Sequence, residues 1–152
     1  MRLLDADILA YALYHESPAH DAAWRTVERA LTGEIDLYVT YTTILETYNT
    51  LYWFYRVRPL KALMDKMSLT ISGLKVVETS VNGLSISGAE NIPLGDGFLI
   101  ATALKHGKPI IVTNDAHIIS KASKYGLLTE NPIPDEIRKS LSTWKIDCAR
   151  DA

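Results

Sequence analysis

The sequence predicts an α/β protein: a three-layer α/β/α sandwich around a mostly parallel central sheet. Three observations carry this. Short apolar or β-branched runs alternate with stretches of helical periodicity along most of the chain, the pattern of a parallel sheet covered by helices on both faces. Gly33, Gly73, Gly107 and Gly126 stand where successive helical patterns should stop. The length, 152 residues, suits one domain able to bury a core without disulfides. We therefore expect a single unit over 1–152, with its core in 1–128 and a C-terminal helix and tail over about 133–152.

Each element follows from local pattern. Leu3 and Leu4 form a short strand ending at Asp5, and Ile8, Leu9, Ala12 and Leu13 then recur at helical spacing. Ser17-Pro18 reads as an N-cap followed by proline at the first helical position, opening a helix over 18–31. Ile35 to Thr40 is a second strand. Thr42 or Thr43, with Glu46 behind it, looks like the cap of a helix reaching about Tyr55. Arg58-Pro59 restarts a helix over 59–71, and Leu74 to Glu78 is a third strand. The glycine-rich stretch 80–95 reads mostly as loop, with room for one short helix. Phe98, Ile100, Ala101, Ala103 and Leu104 mark a buried helix from Asp96 to His106. Pro109 to Thr113 is the fourth strand, followed by Asp115, a helix over 117–125, a last short strand at Leu127-Leu128 and a terminal helix over 135–144.

Composition excludes several functions. A lone cysteine, Cys148, rules out an internal disulfide and a cysteine-based zinc finger. His15, His20, His106 and His117 are scattered without metal-binding spacing. No apolar run approaches the ~20 residues of a membrane span. Acids at positions 5 and 7 do not suit a secretory leader, so the expectation is a soluble, cytoplasmic protein. With 18 acids against 16 bases there is no basic excess of the kind general nucleic-acid binders show. Polyanion binding would need a local patch or bound cations.

The acids sit in informative places. Ligands of open parallel sheets bind at the carboxyl ends of the strands. Asp5 ends the first strand, Asp115 follows the fourth, and Glu46 and Asp96 lie near helix beginnings. Four carboxylates converging on one point would repel and raise one another's pKa values. A hard divalent cation resolves that conflict, and one or two such ions support phosphodiester hydrolysis. Each acid alone has a simpler reading: Asp5, Asp7 and Asp115 as helix caps, Glu46 as a capping-box residue, Asp96 as a helix start. The set, not any member, points to a site.

Three blocks, read in order, resemble the PIN-domain nucleases, particularly the VapC-like toxins of prokaryotic toxin–antitoxin pairs. LLDADIL (3–9) is similar to the family's opening strand and first aspartate, TTILETYNTL (42–51) to the helix carrying its glutamate. GDGFLIATALKHGKPIIVTND (95–115) is similar to its D-x-x-I-x-A-x-A pattern, glycine turn, strand and terminal T-N-D. The resemblance implies that Asp5, Glu46, Asp96 and Asp115 are the catalytic, metal-binding acids for Mg²⁺ or Mn²⁺, and that Thr113 and Asn114 support them. Thr113 is expected to hold Asp5, or water on a bound ion, by hydrogen bond. Asp7 stands where asparagine or serine is commoner, and serves as an outer acid or a cap. Gly97 stands where alanine is commoner, which weakens a helix start. The implied activity is endonucleolytic hydrolysis of RNA by water, with no side-chain nucleophile. The implied partners are the RNA substrate, a second copy of the chain and a cognate antitoxin.

Arg56, Arg58 and Lys61 follow the Glu46 helix and are the candidates for substrate phosphate, against a reading as a solvated connection. Tyr48, Leu51, Tyr52, Trp53, Phe54 and Tyr55 are apolar almost all round their helix, which asks for cover on several sides, from the domain or a subunit interface. Two rival functions remain. D-A-D at a strand end also resembles haloacid-dehalogenase-like phosphatases, though TND (113–115) fits their later motifs poorly. A PIN protein in RNA processing, or a non-catalytic RNA-binding module, is the other.

Overall fold

The computed structural model describes residues 1–151, with side chains through Ala149. Five strands form one sheet: β1 Arg2–Leu4, β2 Leu37–Thr40, β3 Lys75–Val77, β4 Ile110–Val112 and β5 Thr129–Glu130. Every pairing is parallel and the order is β3-β2-β1-β4-β5. The chain moves from β1 outward on one side through β2 and β3, then returns to β1's other side as β4. That reversal leaves a crevice between β1 and β4 at the carboxyl ends of the strands.

Helices cover both faces. They are α1 Ala6–Leu13, α2 His20–Leu31, α3 Tyr41–Asn49, α4 Leu60–Ile71, α5 Gly83–Glu90, α6 Leu94–Lys105, α7 Ala116–Lys124 and α8 Asp135–Asp151. Successive strand residues face opposite layers. Leu4 and Val112 join α1 and α2 residues such as Ile8 and Val27 in one core. Leu3 and Ile111 join Leu99, Ile100 and Ile118 from α6 and α7 in the other. The sandwich is the predicted three-layer α/β/α architecture. No helix among the described residues is long and apolar enough to cross a membrane.

Several boundaries differ from expectation, each for a local reason. Ser17-Pro18 does not open a helix: Ser17 O accepts from His20 N at 3.0 Å, closing a tight turn, and α2 begins after it at His20. Neither Thr42 nor Thr43 caps α3. Thr40, the last residue of β2, does so directly, its Oγ1 accepting from Thr43 N at 3.1 Å. Most of 80–95 is helical rather than loop, because α5 packs against α6 at backbone distance. A Cβ on Gly97 would fall 2.5 Å from Gly83 O, and one on Gly83 would fall 2.6 Å from Phe98 Cα. Glycine at 97 is thus required by the crossing, whatever it costs in helix propensity. α6 starts at Leu94, with Asp96 already in its first turn. The last strand lies at Thr129–Glu130, not at Leu127-Leu128, where Leu127 instead packs into the core.

Candidate active site

β1 and β4 end side by side, and their next residues are tied together. Asp5 caps α1, its Oδ1 accepting from Ala6 N at 2.7 Å, while its Oδ2 accepts from the Thr113 hydroxyl at 2.6 Å. Of the two roles expected for Thr113, this hydrogen bond to Asp5 is the one observed. Thr113 Oγ1 also accepts from Asp115 N at 3.0 Å. Asp115 caps α7, accepting from His117 N at 2.8 Å. Asp7, in the first turn of α1, accepts from Asn114 N at 3.0 Å and so binds α1 to the β4–α7 connection. The Asn114 side chain accepts from Asn131. The helix-cap and site readings of Asp5 and Asp115 are therefore compatible: caps hold one oxygen and leave the carboxylate at the crevice.

The other two acids arrive on helices. Glu46 lies in the second turn of α3 and Asp96 at the start of α6. Gly95 brings them together: a Cβ there would lie 2.3 Å from Glu46 Oε2, so the glutamate carboxylate rests on bare backbone beside Asp96. Behind Glu46 the helix widens into a π-helical turn, Thr50–Phe54, that carries Thr50 and leads to Tyr55 on the site wall. Such widened turns recur at functional sites. Asp5, Asp7, Glu46, Asp96 and Asp115 line one cavity of about 240 Å³, with Tyr11, Thr50, Tyr55 and Lys145.

Electrostatics reflects the crowding. Burial, then Asp5, pushes Glu46 up to about 7. Burial, then the charges of Asp115, Asp5 and Glu46, does the same to Asp96. Burial also raises Asp5 and raises Asp7 well above the carboxylate range, despite their hydrogen bonds. Hydrogen bonds and the Lys145 charge offset the negative charge at this edge only in part. The donor set is wholly oxygen, as Mg²⁺ and Mn²⁺ prefer, and the mutual repulsion is what such an ion would relieve. The chemistry of the residues therefore fits a hard divalent cation. Their present spacing is looser: among the described residues, no three His, Cys, Asp or Glu side chains are already gathered to hold an ion.

Arg56, Arg58 and Lys61 are not brought to this cavity. The Arg58 guanidinium lies 3.6 Å over the Tyr52 ring and donates to the Tyr52 and Val57 carbonyls. Lys61 pairs with Asp65 at 2.8 Å. Arg56 borders a neighbouring cavity with Tyr14, Tyr55 and Trp144. In the aromatic run, Leu51 is buried, Tyr48, Tyr52 and Tyr55 pack partly on the core, and Trp53 is 63% exposed. Sequence reasoning missed Tyr11 and Lys145. Tyr11 reads as one more apolar position of α1, yet its buried hydroxyl has no hydrogen-bond partner among the described residues. Lys145 lies just past the terminal helix expected over 135–144, and nothing in its local sequence signals the site.

Comparisons with known proteins agree with this fold. No curated relative matches the chain. Among solved structures, PAE2754 from Pyrobaculum aerophilum is similar, with a TM-score of 0.61 and 20% identity over 98% of this chain and 89% of that one. VapBC2 from Rickettsia felis, bound to a DNA fragment from its promoter, matches with a TM-score of 0.62 and 16% identity, over 86% of this chain and 97% of its own. A toxin–antitoxin complex from Klebsiella pneumoniae matches with a TM-score of 0.57 and 16% identity, over 87% and 98%. At these identities the likeness is one of fold. The PIN domain model matches residues 2–124, which span all four acids. With five parallel strands, a β1–β4 crevice and that match, the chain belongs to the PIN domain family, the nuclease family its motifs resemble.

Proposed function

We propose that the protein is a divalent-metal-dependent endoribonuclease, hydrolysing RNA phosphodiester bonds as the toxin of a toxin–antitoxin pair. The observation that carries the nuclease reading is the arrival of Asp5, Glu46, Asp96 and Asp115 from four separate segments in one cavity at the crevice between β1 and β4. In this reading Asp5, Asp96 and Asp115 hold the main Mg²⁺ or Mn²⁺ ion, and Glu46 supports that ion or a second. Bound there, such an ion neutralises phosphate charge and lowers the pKa of attacking water. The chain's own residues do the rest. Thr113 fixes the rotation of the Asp5 carboxylate, and Asp7 with the Asn114 amide holds α1 against the β4 end. No side chain need act as nucleophile.

The toxin reading is supported by two structural neighbours, VapBC2 and the Klebsiella pneumoniae toxin–antitoxin complex. It is also supported by an apolar groove of about 430 Å³ between α3 and α4, lined by Ile44, Leu45, Tyr48, Met64 and Met67, which suits an antitoxin segment. A homodimer joins this proposal through the exposed aromatics after α3.

The deciding experiment incubates purified protein with structured and single-stranded RNA in Mg²⁺ or Mn²⁺, then with EDTA. Cleavage should require the metal and disappear in Asp96→Asn. Full activity of Asp96→Asn with excess Mg²⁺ would overturn the site assignment. Metal binding without cleavage would favour a non-catalytic RNA-binding role. Growth arrest on expression, relieved by the product of an adjacent small gene, would establish the toxin reading.

A further inference from the structure

The acidic cavity contains a cation supplied from outside the residues that the PIN domain model matches. Lys145 lines it alongside Asp5, Asp7, Glu46, Asp96 and Asp115, and among the described residues it is the one basic side chain on that wall. It is carried by α8, whereas the family match ends at residue 124.

The placement of α8 is built rather than incidental. Ile137, Leu141 and Trp144 follow one another at helical spacing along its inner side. Leu141 is 2% exposed, and the Trp144 ring stands 5.1 Å from that of Tyr55 and 5.9 Å from that of Tyr14. Lys145 lies one turn past Leu141 on the same side, so these anchors set its position over the cavity. Its ammonium rests 5.2 Å from the centre of the Tyr11 ring, and its charge favours ionised Asp7.

Five carboxylates border the same cavity, yet among the described residues Lys145 forms no ion pair with any of them. An ammonium held at an acidic site but not consumed by an acid is free to meet a second anion. A polynucleotide entering the site would bring such anions in the phosphates that flank the reacting one. Lysine meets phosphate as a point charge, which positions a strand without reading its bases.

We propose that Lys145 contacts substrate directly, its ammonium binding a non-bridging phosphate oxygen of the RNA backbone on the α8 side of the cavity. The proposal rests on the endoribonuclease reading above. It assigns α8 a part in substrate binding, and moves the phosphate contact from the Arg58 and Lys61 segment to the C-terminal helix.

The test measures binding of a single-stranded RNA oligonucleotide by fluorescence anisotropy in the non-cleaving Asp96→Asn background, across 50–200 mM salt, roughly the range over which such slopes are read. Adding Lys145→Ala should lower the slope of log affinity against log salt by about 0.7 and weaken binding roughly fivefold near 0.1 M salt, as loss of one phosphate contact requires. Lys145→Arg should restore both and Lys145→Gln neither. In the active protein, Lys145→Ala should raise KM more than it lowers kcat, with an unchanged thermal midpoint. An unchanged salt slope in Lys145→Ala, while the parent still cleaves RNA, overturns this contact and leaves the nuclease reading standing. A parent chain that neither binds nor cleaves RNA removes both.

Discussion

The two halves of the acidic cavity are held in different ways. On the strand side, Asp5, Asp7 and Asp115 each accept backbone hydrogen bonds, and Thr113 adds a hydroxyl bond to Asp5. On the helix side, the Glu46 and Asp96 carboxylates accept no hydrogen bond from any described residue. Burial with neighbouring acids carries both to about 7. The pinned half provides a fixed template. The loose half has side-chain freedom to close on an ion, which accounts for acids that share a cavity without yet forming a coordination sphere.

The largest expected difference between the halves comes from truncating one acid in each. Asp5→Ala and Asp96→Ala should both abolish RNA cleavage. Asp5→Ala should also cost about 1–3 kcal/mol of stability, through the lost cap and the stranded Thr113 hydroxyl. Asp96→Ala should leave stability unchanged or raised, because it removes an uncompensated charge. Urea unfolding of the two variants measures this, and equal destabilisation would break the comparison.

A smaller effect should follow from Gly95→Ala. The new methyl would meet the Glu46 carboxylate, the far end of a flexible side chain. The carboxylate should swing aside, so cleavage falls and metal affinity drops, while the thermal midpoint moves little. A loss of stability as large as that of Asp5→Ala would mean that Glu46 is as firmly held as the strand side.

The last effect is in pH. Glu46 and Asp96 titrate near 7 when folded and near ordinary carboxylate values, about 4, when unfolded. Between those values the folded state binds more protons than the unfolded one. Stability of the metal-free protein should therefore fall as pH rises from about 4 through 7. Saturating Mg²⁺ should flatten that fall, since an ion replaces the protons. Thermal midpoints across this range, with and without the ion, measure it. A metal-free midpoint that climbs with pH would contradict the uncompensated charge.

Much of this was legible in the chain because it depends on local pattern. Apolar runs of strand length separated by helical periodicity set the parallel sheet, and an acid directly after β1 or β4 must stand at the carboxyl edge. Other features depended on what the chain meets later. Whether Ser17 or Thr43 caps a helix is decided by where the preceding segment ends, and here a tight turn and the end of β2 took those roles to other residues. The stretch 80–95 read as loop through its glycines, which instead permit the close crossing of α5 and α6. The role of Gly97 was invisible without its neighbour.

By itself, the sequence determined the α/β class, the strand order's raw material and the four acids that motif order sets apart. These follow from residue types and spacings, which act over a few residues along the chain. The tertiary structure alone decided that Thr113 holds Asp5, that Gly95 lets Glu46 lie beside Asp96, and that Lys145 reaches the same cavity from the far end of the chain. Those placements bring together residues up to 140 positions apart, Asp5 and Lys145 lining one cavity. Packing of layers selects them, and no local periodicity encodes them.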